Sequence, residues 1–363
     1  MTSPELRLLP PAAKGHTSAA RVTDDWYVAC ASRELRDRPL AVTVLGVPLA
    51  LYRAEDGSVG ALLDRCPHRN VPLSTGNVKG PHLECGYHGW QFVAQGACQR
   101  VPSLCSEGAV RGRRVQAFAC REQDGYVWVY GEPDVEPARD PFRLPLVDTP
   151  GYHTVRDAFV TAGTLHAVAE NALDVPHTRF LHSGLFRKDG PGNVIDVVLR
   201  RWPDRVEAEY IGEPRPEGLV GRLLAPQGGV VEHFDRFILP CVAQVEYRLG
   251  EKSHVVVSSL LTPIDDFTTK LWAAVTFKLP VPAWLVKLVA KPVGRRIFAQ
   301  DARVLKVQAD AIRRFGGEQY MSTEIDVLGP SILKLLRAAE RGDRTLPDAT
   351  ADRPSEKRFQ MEV

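Results

Sequence analysis

From residue 24 to about residue 133 the apolar positions fall in short runs broken by turn formers. Segments 40–45, 48–52, 59–63, 115–119 and 126–130 are short runs rich in Val, Leu, Ala and aromatic residues, which is the pattern of short strands. Together they predict a small antiparallel all-β domain over residues 24–135. Residues 132–149 are rich in Pro and Asp and read as a linker. Beyond it the period changes. A helical stretch is expected within 152–182, followed by strands at 194–199, 205–211, 234–238, 242–249, 254–262 and 270–278 that suit a larger antiparallel sheet. The helical period returns over 282–315 and 331–341. The expected class is α+β, with a flexible lead-in at 1–23, a second domain over 150–345 and a C-terminal tail at 346–363.

The chain has 363 residues, enough for two domains. Its formal net charge is +2 with 25% charged residues, so no basic field points to nucleic acid. The first twenty residues scatter Pro, Glu, Lys and His and hold no apolar core of a signal peptide. The most apolar stretch, 279–290, is interrupted by Pro280, Pro282 and Lys287, so no membrane span is expected. Seven cysteines, an odd number, do not form a secreted disulfide framework. A cytoplasmic protein follows as an expectation, with Cys30, Cys98, Cys105, Cys120 and Cys241 as free thiols.

Two of the cysteines belong to a different pattern. Cys66-Pro67-His68 and, further on, Cys85-Gly86-Tyr87-His88 each combine one thiol and one imidazole in a loop bounded by Pro and Gly. Two thiolates and two imidazoles are the ligand set of a Rieske two-iron, two-sulfur centre, in which histidines replace cysteines on one iron. Cys66 and Cys85 would hold one iron, and His68 and His88 the other. The same residue types suit tetrahedral zinc, but zinc fingers pair Cys with Cys and His with His, whereas here each loop supplies one of each. Cys98 and Cys105 lie close to this segment.

A second constellation runs Glu170-Asn171-Ala172-Leu173-Asp174-Val175-Pro176-His177-Thr178-Arg179-Phe180-Leu181-His182. Two histidines and a carboxylate on one face of an iron leave positions open for oxygen. His177 and His182 are five apart, which a regular helix does not align, and Pro176 is expected to distort the path. An H-x4-H pair alone also fits two unrelated histidines. Preceded by the Cys/His loops, however, the chain resembles the terminal oxygenase component of the Rieske-type non-haem iron oxygenases over almost its whole length. That family's E-N-x-x-D-x-x-H-x-x-x-x-H motif matches Glu170, Asn171, Asp174, His177 and His182. The Asn-to-Asp spacing is that of its homotrimeric monooxygenase and demethylase branch.

The resemblance implies an N-terminal Rieske domain followed by a helix-grip, START-like catalytic domain. It implies one 2Fe-2S cluster and one mononuclear Fe(II) per subunit, O2 as cosubstrate, and NAD(P)H acting through a separate reductase or ferredoxin. His177, His182 and Asp301 would hold the mononuclear iron, with Asp310 as the runner-up acid and Gln300 standing where the family often has Glu. Ile297, Val304 and Leu305 would face the core. Asp174 and Asn171 are the expected catalytic residues, Asp174 orienting His177 and bonding a cluster histidine of a neighbouring subunit. The implied activity is hydroxylation, demethylation or desaturation of a small, largely apolar substrate in a homotrimer. An electron carrier with an appended module and a hydrophobic-ligand carrier are the rivals, with two irons and none. Leu219, Leu223, Leu224, Val230, Val231, Phe234 and Phe237 could line a pocket or simply fill a core.

Overall fold

The computed structural model describes residues 17–104, 112–182, 193–213, 231–250, 252–343 and 353–362. Within them the chain divides into two compact units, residues 22–143 and residues 17–21 with 144–362. Expectations at Leu219, Leu223, Leu224, Val230 and Cys105 lie outside the described residues.

The first unit holds ten strands: β1 (Trp26–Ala31), β2 (Leu40–Val44), β3 (Val47–Arg53), β4 (Val59–Leu63), β5 (Asn77–Lys79), β6 (His82–Glu84), β7 (Gln91–Phe92), β8 (Cys98–Arg100), β9 (Ala117–Gln123) and β10 (Tyr126–Pro133). A six-stranded sheet runs β1-β10-β9-β4-β3-β2, and a four-stranded one runs β5-β6-β7-β8. Its core is built from Trp26, Tyr27, Leu49, Leu62, Tyr126 and Trp128, all within 2% of full burial. Short apolar and aromatic runs bounded by turn formers are the reason most of these strands were legible. Strand β1 was not marked in the sequence. Its residues Trp26–Cys30 are buried in one continuous run, as are Leu49–Tyr52 of β3 and Tyr126–Tyr130 of β10. The linker does not hang free. Trp26 Nε1 donates to Arg139 O at 2.8 Å, and Gln123 Nε2 donates to Pro141 O and Phe142 O, strapping residues up to 143 onto this unit.

The second unit opens with β11 (His153–Ala162), a strand not marked in the sequence, ahead of the helical stretch expected within 152–182. Gly163 at φ +130° breaks the strand, and the Thr164 side chain accepts from the Ala167 amide to start α1 (Leu165–Leu173). A short α2 follows (His177–Leu181). Then come β12 (Val194–Arg201), β13 (Arg205–Ile211), β14 (Val231–Ile238), β15 (Val242–Leu249), β16 (Ser253–Asp265) and β17 (Thr268–Lys278). The long α3 (Ala283–Phe315), α4 (Gly329–Glu340) and β18 (Ser355–Glu362) complete the unit. The eight strands form one antiparallel sheet, β11-β17-β16-β15-β14-β13-β12-β18. Helix α3 is tied to β11 by the stacked rings of Phe159 and Phe298, with centroids 4.1 Å apart.

Where they are described, from residue 17 and from residue 353, both expected termini are corrected. The described end of the lead-in is packed: Ser18 is buried, its hydroxyl lies 2.8 Å from that of Thr164 and donates to Glu318 at 2.9 Å. The tail contains β18, paired with β12 from Val194↔Glu362 to Arg201↔Ser355. Its sequence SEKRFQME is mostly polar, and only the neighbouring strand makes it a strand. Phe234 and Phe237 cannot share one pocket wall, because strand alternation puts them on opposite faces of β14.

Candidate functional site

The two Cys/His loops of the first unit are built alike. Cys66 N–H donates to Val71 O and Asn70 N–H to Cys66 O, each at 2.9 Å; Cys85 N–H donates to Trp90 O at 2.8 Å and Gly89 N–H to Cys85 O at 3.0 Å. The residue four places after each cysteine turns left-handed, Asn70 at φ +62° and Gly89 at φ +68°. Asn tolerates that conformation and Gly adopts it freely. Each loop therefore curls its cysteine and histidine inward around the same backbone turn.

The thiols of Cys66 and Cys85 are buried, at 1% and 3% exposure. Burial pushes Cys66 up to about 11, and the adjacent Cys85 adds to the shift. The His68 and His88 rings lie 4.5 Å apart, and His68 stacks on Trp90 at 4.8 Å and 7°. His68 Nδ1 is buried and has no protein partner. Two buried neighbouring thiols and a ring nitrogen with nothing to bond are groups waiting for a cation, and they fit the Rieske ligand set. Cys98 is buried, with its sulfur 3.5 Å from Arg100 O.

In the second unit three side chains from two elements converge. His182 Nε2 is 3.0 Å from Asp301 Oδ1, His177 Nε2 is 3.6 Å from the same oxygen, and the two Nε2 atoms are 3.3 Å apart. The rings meet because α2 ends at Leu181 and His182 leaves the helix at φ −109°, ψ 36°. Pro176 does not distort the path as expected; it is itself helical and begins α2. Asp301 comes from the middle of α3 and is 15% exposed. Asp310 lies on the exposed side of the same helix, paired with Lys306 at 2.6 Å.

The opposite edge of each ring is held. His182 Nδ1 is 2.9 Å from Gln300 Oε1, and His177 Nδ1 is 3.3 Å from Asp174 Oδ2. Gln300 Oε1 accepts from His182 Nδ1, so the Nε2 of that ring presents a lone pair, whereas Asp174 stands beside His177 Nδ1 as an ion-pair partner without the geometry of a hydrogen bond. Two lone pairs and a carboxylate oxygen, all within 4.8 Å of one another, repel unless a cation lies between them. That donor set suits a 2-His-1-carboxylate iron site. Burial lowers His177, but Asp174 and Asp301 more than offset it and bring the ring up to about 9. Burial raises Asp301, and the two rings outweigh it and leave the carboxyl below its usual range. A bound cation takes the place of the proton that these contacts favour.

Three features were not read from the sequence. Gln300 had been noted only as a departure from pattern, yet it orients His182. Its position beside Asp301 was the available signal. Val304, expected in the core, is 45% exposed, whereas Leu305 is buried as expected. Third, Asn171 and Asp174 border a cavity of about 200 Å³ that is also lined by Glu170, His177, Tyr210 and Gln308.

Residues 25–118 match the Rieske 2Fe-2S domain, and residues 162–341 match the vanillate O-demethylase oxygenase C-terminal domain. The chain is 38% identical over 296 residues to the oxygenase component of dicamba O-demethylase from Stenotrophomonas maltophilia, covering 80% of this chain and 75% of that protein. It is 25% identical over 359 residues to the vanillate O-demethylase oxygenase subunit of a Pseudomonas species, covering 89% and 96%. Among solved structures, dicamba monooxygenase bound to 3,6-dichlorosalicylic acid superposes with a TM-score of 0.74 at 24% identity, covering 89% of this chain and 98% of that one. At that identity the superposition speaks for the fold.

Proposed function

The chain belongs to the Rieske-type oxygenases, and from that premise we propose that it removes a methyl group from, or hydroxylates, a small aromatic substrate at an iron held by His177, His182 and Asp301. The observation that carries this reading is the convergence of two imidazole lone pairs and one buried carboxylate oxygen within 4.8 Å. An electron carrier has no use for such a triad. Relatives named as demethylases of dicamba, vanillate and methylxanthine support the choice of reaction and substrate size.

When bound, the cluster supplies electrons one at a time and the ferrous ion supplies open positions for dioxygen. The chain's own residues do the rest. Cys66, Cys85, His68 and His88 hold the cluster. Gln300 fixes the tautomer of His182 by accepting from its Nδ1, and the Asp174 carboxylate beside His177 Nδ1 favours a proton there, so both rings keep their Nε2 atoms aimed at one point. Burial of His182 and Asp301 keeps bulk water from that point.

A reductase or ferredoxin drawing on NAD(P)H supplies the electrons, with one cluster and one mononuclear iron per subunit. We infer a homotrimer, in which Asp174 of one subunit reaches a cluster histidine of the next. His88 is exposed and Asp174 is 31% exposed, so both are open to another chain. Free thiols at Cys30, Cys98, Cys120 and Cys241 fit a reducing cytoplasm. Among the described residues no helix is long and apolar enough to cross a membrane.

The test is an iron assay joined to single-turnover product analysis with methoxybenzoates and N-methylated purines. Three irons per chain and a demethylated or hydroxylated product are expected. Two irons per chain with no product would return the chain to electron transfer.

A further inference from the structure

Inserting one oxygen atom of O2 into a C–H bond and reducing the other to water consumes two electrons and two protons. The cluster delivers the electrons. The protons have to reach a buried centre by another route, and the second unit contains a cavity suited to carry them.

That cavity, about 200 Å³, is lined by His177, Asp174 and Glu170 together. It has room for several waters and enough polar groups to hold them. Exposed Ile325 and Val304 stand on its rim and give access to solvent. Tyr210 points to its contents. This residue is 1% exposed and lines the cavity, yet its hydroxyl has no hydrogen-bond partner among the described residues. A buried hydroxyl without a protein partner calls for water or a ligand. Burial, with Asp235, Glu213 and Asp174, pushes its ionisation well above the ordinary range, so it keeps its proton and can donate.

Glu170 is placed with equal care. Its carboxyl lies directly over Gly329, the first residue of α4, where any Cβ would collide with Oε1. Glycine there makes the notch. We propose that Glu170 is the proton donor of the oxygenation reaction, passing protons through waters shared with Tyr210 and Asp174 to the site at His177. This rests on the oxygenase reading above. In each step the Glu170 O–H bond breaks, its proton moves to a cavity water, and the carboxylate is reprotonated from solvent past Ile325.

The surroundings tune Glu170 for this. Burial first, then Asp326, Asp174 and Glu318, bring its carboxyl up to about 7, near the operating pH at which a proton donor works best. The other ionisable groups around it do not displace that proton. His166, one turn earlier on α1, is lowered by burial and bonds Gly329 O at 2.8 Å. Tyr320 is raised by burial. Arg337 on α4 pairs with Glu340 at 3.1 Å, and His177 faces Asp174 and Asp301.

The test uses the iron-loaded protein and three variants. Glu170→Gln keeps the shape over Gly329 but cannot release a proton, Glu170→Asp restores the acid, and Tyr210→Phe removes only the unpartnered hydroxyl. Infrared difference titration of the wild type should show a protonated carboxyl that disappears through about pH 7 and is missing in Glu170→Gln. In single turnover Glu170→Gln should slow product formation roughly 100-fold, lose the pH dependence near 7 and show a larger solvent deuterium effect. Glu170→Asp should recover part of the rate, and Tyr210→Phe should be slowed with normal iron and cluster spectra. Wild-type rate and pH profile in Glu170→Gln would overturn the proposal. So would Glu170→Gln losing iron while Tyr210→Phe turns over normally, because Glu170 would then be structural. A wild type that yields no oxygenated product sinks the oxygenase reading instead, and the infrared titration still decides whether Glu170 holds the proton.

Discussion

Gln300 Oε1 lies 2.9 Å from His182 Nδ1, and the next residue, Asp301, puts its carboxylate 3.0 Å from the other nitrogen of the same ring. One stretch of α3 therefore both orients the imidazole and faces its lone pair. Replacing Gln300 by Leu leaves the ring free to rotate. Mononuclear iron affinity should fall about 10- to 100-fold, while the visible spectrum of the cluster stays unchanged. Competition with a chelator measures it, and unaltered affinity would reduce Gln300 to a packing residue.

Asp301→Ala removes the only anionic donor of the triad. Most mononuclear iron and all oxygenation should be lost with the cluster intact, because the first unit is untouched. Iron assay against the visible spectrum reads this out. Asp310 cannot take over, being exposed on α3 and paired with Lys306.

The cluster potential should sit at the low end of the Rieske range, on the order of −150 mV. Neither ligand loop holds an extra cysteine beside the cluster, and Trp90 stacks on His68 where a hydroxyl donor to sulfur would raise the potential. A redox titration with a strongly positive midpoint would refute this.

If the trimer forms as proposed, His88→Ala and Asp301→Ala homotrimers are each inactive, one without a cluster and one without a triad. Within mixed trimers about one ordered interface in three pairs an intact cluster with an intact iron site. Doubly tagged trimers should regain about a third of wild-type activity. Fully loaded mixed trimers with none would place electron transfer inside a single chain.

His233 lies between Glu213 and Asp235, at 2.5 Å and 3.0 Å. Burial alone would lower it, but Asp235 and Glu213 overcome this and raise it to about 10. Its folded value exceeds the unfolded value of about 6.5, so its stabilisation is complete below about pH 6.5 and is lost as pH rises toward 10. His233→Gln should cost about 3 kcal/mol at low pH, and the gap to wild type should narrow as pH rises. Urea unfolding at both ends of that window checks it; a gap independent of pH would mean that His233 is neutral.

Local chemistry was legible in the sequence because it depends on spacing. The Cys/His loops are short, closed by their own backbone turns at Asn70 and Gly89, and keep their ligands within a few residues. The E-N-x-x-D-x-x-H-x-x-x-x-H run likewise keeps Asp174 beside His177. Most strands showed themselves as short β-rich runs bounded by turn formers. Contacts across long separations were settled by packing alone. The buried run of β1 and the polar run of β18 become strands only when β10 and β12 pair with them. Gln300 meets His182 only because α3 lies alongside α2, 118 residues later in the chain. The same packing sets Glu170 over Gly329 and leaves Tyr210 facing a cavity. Sequence spacing fixes which groups can share a loop or a turn, whereas the burial that shifts their proton affinities is created only when distant elements close over them.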